Sequence, residues 1–154
     1  MTESRQQNIR ELHACVVPWR EDCSLLVPGA MIAETLYHLD NSPLQHGSPW
    51  VDGGVEWRGQ IVPLVTFDDV PDLPKKVTDE TRRVLICHTL SYSNEHAYIA
   101  LEFYRLPRLL FIDESSFSVV DESSASEVWP FVAKIDIRES IVYVLDMEKL
   151  CTII

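Results

Sequence analysis

Gly53-Gly54-Val55-Glu56-Trp57-Arg58-Gly59-Gln60-Ile61-Val62-Pro63-Leu64-Val65-Thr66-Phe67 reads as a strand, a two-residue turn and a second strand, and the fold of the chain follows from it. With Arg58 and Gly59 as the central residues of the turn, position 57 pairs with 60, 56 with 61 and 55 with 62. Glycine at 59 permits the positive φ that such turns need. Alternation then places Val55, Trp57, Val62 and Leu64 on one face and Ile61, Val65 and Phe67 on the other. Both faces are apolar, so the second strand is expected to be covered on two sides. Pro63 cannot donate to a ladder and is expected at an edge or a bulge. A charged arginine at the tip of so apolar a hairpin poses the functional question.

The hairpin recurs. A shift of 80 positions places Val55, Glu56, Trp57 and Arg58 on Ile135, Asp136, Ile137 and Arg138, and Ile61 to Val70 on Ile141 to Leu150. Earlier strands align at smaller shifts: Ser24-Leu25-Leu26-Val27 with Tyr98-Ile99-Ala100-Leu101 at 74, and Cys15-Val16-Val17 with Leu85-Ile86-Cys87 at 70. Longer loops in the second copy would produce that drift. A repeat unit of about five strands buries its apolar face by curling into a small barrel, which also removes its edges. The expected fold is therefore all-β, with two five-stranded SH3-like barrels packed around a shared hydrophobic core. One domain is expected over residues 12–150, its subdomains covering approximately 12–70 and 82–150, with 1–11 as a flexible N-terminus.

The remaining strands are read from short apolar runs between turn residues: 12–17, 23–27 and 31–39, then 82–88, 96–103, 105–112, 132–137 and 140–145. The acidic, proline-containing segment 68–80 is read as a linker. The serine-rich and acidic segment 113–126 is read as a loop, with Ser126-Glu127-Val128-Trp129 as a short helix. The chain is expected to finish soon after Leu150 without an extended terminal helix.

Composition narrows the function. The 24 acidic and 13 basic residues give a net charge of −11. Both halves share it: residues 1–77 carry 6 bases and 11 acids, leaving 7 bases and 13 acids in the rest. Such a surface repels phosphate backbones and anionic lipid, and neither Lys75-Lys76 nor Arg82-Arg83 is long enough to make a basic footprint. No nucleic-acid partner or membrane insertion is expected, and no apolar run approaches the roughly 20 residues that span a bilayer. Cys15, Cys23, Cys87 and Cys151 form no CxxC and follow a polar N-terminus, so they are read as reduced core thiols of a cytoplasmic protein.

Leu26-Val27-Pro28, Ile32-Ala33-Glu34 and the stretch from Gly53 to Val65 together resemble the CheW-like domain of bacterial chemotaxis coupling proteins. The family's hairpin pattern, approximately G-x-x-N-x-R-G-x-x-x-P, is matched by Gly53, Arg58, Gly59 and Pro63. The resemblance runs from about Leu12 to Leu150. Glu56 replaces the usual asparagine, Thr66 stands where an aspartate commonly follows, and the second copy has Arg138-Glu139 in place of Arg-Gly. These departures mark a divergent member, similar in length and style to the accessory ChpC-type proteins of type IV pilus chemosensory systems. The resemblance implies an adaptor that bridges the cytoplasmic tips of methyl-accepting chemoreceptors and the regulatory domain of a CheA-type histidine kinase. It implies no catalysis and no cofactor. Ile32 and Glu34 fall on the family's receptor-contact strand, and Arg58, with Gly59, falls on its interaction surface; a groove between the barrels would hold an apolar receptor helix.

The residues leave other readings open. Glu34 pairs with Arg58 or with a partner's base, or merely marks the solvent face. Trp50 and Trp57 are read as core packing, and Ile32 as core or contact. A peptide-binding β-barrel outside chemotaxis is one alternative. A small cysteine or metal enzyme is another: His13 and Cys15 share a strand face, whereas Cys87 and His88 point to opposite faces and make a poor thiolate–imidazole pair. No GxSxG, P-loop or GxGxxG motif and no zinc-type ligand spacing occurs.

Overall fold

The computed structural model describes residues 12–37, 41–45, 47–68, 73–77, 83–89, 96–121 and 131–154. Twelve strands run in chain order: β1 Leu12–Arg20, β2 Cys23–Pro28, β3 Ile32–Tyr37, β4 Asn41–Ser42, β5 Val51–Trp57, β6 Gln60–Val65, β7 Arg83–His88, β8 Tyr98–Phe103, β9 Arg108–Ile112, β10 Ser118–Asp121, β11 Phe131–Ile137 and β12 Ser140–Leu145. A 3-10 turn over Gly29–Met31 precedes β3, and helix α1 spans Met147–Ile153. The chain is nearly all-β, as its alternation implies.

Each barrel is a six-stranded mixed sheet, the sixth member being the short β4 or β10. The orders are β10-β11-β12-β2-β1-β9 and β3-β7-β8-β6-β5-β4. Neither sheet is built from one half of the sequence. The first takes β1 and β2 from the N-terminal half and the second takes β7 and β8 from the C-terminal half. The joints are two parallel pairings, Val144 opposite Leu26 and Leu64 opposite Ala100. These joints are equivalent under the sequence repeat, since 64 and 144 differ by 80 and 26 and 100 by 74. The repeat is thus a true pseudo-twofold in which the copies exchange strands.

Alternation within the strands sorts the core into three clusters. Cys15, Val17, Leu25, Val27, Val65, Phe67 and their repeat equivalents Leu85, Cys87, Ile99, Leu101, Leu145 and Met147 all lie in one shared core between the sheets. The intervening residues fill the two barrel interiors: Ala14, Val16, Leu26, Ile135, Ile137 and Val142 in the first sheet, Val84, Ile86, Ala100, Val55, Trp57 and Val62 in the second. A strand buried on both faces, with about 1.5–3 kcal/mol per large apolar side chain, has little freedom to slip register. Trp19 adds an aromatic knot to the shared core, with edge or tilted contacts to Phe67, Phe131 and Tyr143 at 5.2, 5.7 and 5.8 Å between ring centroids.

The opening hairpin has the register its turn requires: Trp57 faces Gln60, Glu56 faces Ile61 and Val55 faces Val62. Val55, Trp57, Val62 and Leu64 enter the barrel, Val65 and Phe67 enter the shared core, and Ile61 is exposed. Pro63 lies opposite Gly54, where the register shifts between Val51 and Gly54, so the bulge expected of proline is present. A Cβ on Gly54 would collide with the Ile61 side chain.

One reading needs correction. Residues 118–121, read as loop, form β10, because Val119 pairs with Ile135 despite the polar surroundings. Helix α1 is short, seven residues rather than an extended helix: Asp146 accepts a hydrogen bond from the Lys149 N–H at 3.0 Å, capping it, while Leu150 and Cys151 bury its inner face. Asn41–Ser42 forms the short strand β4, opposite Val55 and Gly54 of β5. The expected flexible N-terminus at 1–11 and the helix at 126–129 lie outside the described residues. All four cysteines are buried and free. No helix among the described residues is long and apolar enough to cross a membrane.

Candidate partner-binding site

Arg58 and Gly59 form the tip of the β5–β6 hairpin with φ of 47° and 77°, the left-handed conformation of a type I′ turn. Glycine at 59 is required by conformation alone, since an added Cβ would meet nothing within 4 Å. Arg58 accepts the same conformation without that freedom. Its guanidinium lies over the Trp57 ring at 4.7 Å from the centroid and pairs with Glu34 Oε2 at 3.5 Å.

Trp57 is the hub. Its body is buried in the barrel, and its indole N–H donates to the same Glu34 oxygen at 2.6 Å. Tyr98 meets the ring edge-on at 4.7 Å, and His88, opposite Tyr98 in the β7–β8 ladder, lies 5.1 Å beyond. Barrel closure brings β3 to the hairpin tip, so Glu34 and Arg58, 24 positions apart in sequence, become neighbours. Their side chains remain 40% and 70% exposed. The ion pair alone contributes on the order of 0–1 kcal/mol, whereas the indole bond to a carboxylate contributes roughly 1.5–3 kcal/mol. Glu34 is therefore held chiefly by Trp57, and the arginine is left with an open face.

Glu34, Arg58 and Gly59 thus share one surface. Ile32 does not join it: a register shift separates it from Glu34, and its side chain packs against the shared core. Sequence reading took Trp57 as packing and missed Tyr98 and His88; a polar N–H at the mouth of a barrel was the available signal for the first. It also missed a second surface. β9 stands last in its sheet among the described residues, and Leu109 and Phe111 on it are 60% and 61% exposed, flanked by Leu106 at 70% and Leu12 at 50%. Exposed apolar residues concentrated on an open strand edge are a recognised sign of a binding surface.

Burial pushes the Cys23 thiol up to about 11 and the Cys87 thiol up to about 12, away from the thiolate a nucleophile needs. His13 packs edge-on against Phe111 at 4.4 Å between ring centroids. Among the described residues no three His, Cys, Asp or Glu side chains are grouped to hold a metal.

A pair of strand-exchanged barrels with an arginine-tipped hairpin and an open apolar edge defines an all-β interaction module. The CheW-like domain model matches residues 20–153, and the chain belongs to the CheW-like domain family. The fold is similar to that of the scaffolding protein TtCheW from Thermoanaerobacter tengcongensis, with a TM-score of 0.66 and 12% identity over 88% of each chain. No curated protein matches the sequence.

Proposed function

We propose that this chain is a cytoplasmic chemosensory adaptor that couples methyl-accepting chemoreceptors to a CheA-type histidine kinase by non-covalent binding. The observation that carries the reading is the Glu34–Trp57–Arg58 arrangement on a CheW-like fold: a guanidinium fixed in place at a strained, outward-facing turn with one face open. Backbone strain that the surroundings sustain is typical of sites where geometry matters. The open edge at Leu109 and Phe111 supplies apolar area, and an adaptor needs two surfaces for two partners. A type IV pilus chemosensory system is the setting suggested by the chain's length and style. The main competing reading is a peptide-binding barrel outside chemotaxis, for which no observation speaks specifically.

The test is a titration of the purified chain with the regulatory domain of a CheA-type kinase and, separately, with a receptor tip from the same cell. The proposal expects saturable binding to both. Absence of binding to either would overturn the coupling role, and binding to unrelated extended peptides alone would favour the competing reading.

A further inference from the structure

The pseudo-twofold sets a second arginine-tipped mouth against the first, and its chemistry is different. Arg138 occupies the place of Arg58, and Ile137 that of Trp57. The place of Glu34 is fixed by register: Glu34 lies opposite Ile86 and Arg108 lies opposite Val16, and Val16 and Ile86 are repeat equivalents. An arginine thus stands where the first mouth has its carboxylate. The ion pairs among the described residues include neither Arg108 nor Arg138. Without a tryptophan to fill it, this mouth holds a cleft of about 240 Å³, walled by Leu110, Ile112 and Ile137 and edged by Ser115, Ser116 and Arg138. Arg138 and Glu139 sit at φ of 50° and 65°, so the tip is held in the left-handed conformation with no glycine at either central position.

We propose that the second mouth is a docking site for a partner protein's carboxylate side chain carried between apolar residues, with Arg138 receiving the charge and the cleft receiving the neighbouring apolar group. The surrounding charges favour a single carboxylate over a phosphate group. Asp113 lies beside the cleft, kept ionised by hydrogen bonds from the Ser115 N–H and hydroxyl and from the Ser116 hydroxyl. Asp136 accepts from the Glu139 N–H at the tip itself. These acids and the net charge of −11 repel a dianion more than a monoanion. The site is independent of whatever partner Arg58 meets.

The experiment is an amide chemical-shift titration of the intact chain with the blocked peptide acetyl-Ala-Leu-Glu-Leu-Ala-amide, its Gln counterpart and inorganic phosphate. Saturable shifts are expected at Ser115, Ser116 and Arg138, with the Gln peptide about 10-fold weaker. Arg138→Gln is expected to abolish that preference, Arg138→Lys to restore part of it, and Arg58→Gln to leave it unchanged. Equal binding of the two peptides, shifts confined to the first mouth, or phosphate binding as tightly as the Glu peptide would each overturn the proposal. The variants' own spectra show whether the hairpin is intact.

Discussion

The hairpins β5–β6 and β11–β12 have the same register and deliver equivalent residues to equivalent cores, yet their tips have diverged. At the first, Trp57 fills the barrel mouth, binds Glu34 and stacks under Arg58. At the second, Ile137 leaves a cleft, and Arg108 stands at the position of Glu34. Pairing inside the barrels is fixed by burial on both strand faces, so the tips can change without disturbing the core. Architecture is shared, and the differences are local to a few residues at each tip.

The comparison breaks most visibly at position 57. Trp57→Ala should destabilise the chain by roughly 3–5 kcal/mol in urea unfolding, and Ile137→Ala by roughly 2–4 kcal/mol. A larger loss at Ile137 would mean that the indole is not the hub of the first mouth. Arg58→Ala should cost less than about 1 kcal/mol of stability, because its contacts are exposed. Exchanging the glycine between tips sharpens the contrast: Glu139→Gly should stabilise by about 0.5–1 kcal/mol by relieving a left-handed glutamate, while Gly59→Glu should destabilise by about 1 kcal/mol. Thermal unfolding of the two variants measures both.

The smallest effect is one of pH. Hydrogen bonds from Ser115 and Ser116 hold the Asp113 carboxyl below its ordinary value of 3.8, so this turn gains stability above that value and loses it as pH falls through the lower, folded value. Amide shifts of Ser115 and Ser116 should therefore titrate with a midpoint below 3.8.

Much of the fold was legible because a period of two is simple to read. The alternation around Val55, Trp57, Val62 and Leu64 gave the correct faces, and the shifts of 70, 74 and 80 matched equivalent core positions. The exchange of strands was not legible, because the parallel joints β2–β12 and β6–β8 are long-range and apolar runs carry no address for their partner. At the site, the motif placed Arg58 and Gly59, and Glu34 was read with its pairing left open. Trp57 was read as packing because its hydrogen bond exists only once the barrel closes. Ile32 was read as core or contact, and the structure packs it against the shared core, past a register shift that the sequence does not show. The edge at Leu109 and Phe111 was taken for an ordinary strand, since exposure on one side depends on which strand stands last in the sheet.

The proposed function rests on Arg58 at the first tip being a partner contact, with the regulatory domain of a CheA-type kinase as a proposed partner. Calorimetric titration of a CheA-type regulatory domain into the wild-type chain, Arg58→Ala and Arg138→Ala tests it most directly. The account predicts that Arg58→Ala weakens binding by about 1–3 kcal/mol with little change in melting temperature, and that Arg138→Ala leaves the affinity unchanged. Unchanged affinity in Arg58→Ala together with a clear loss of stability would contradict it, and would make the arginine a structural residue.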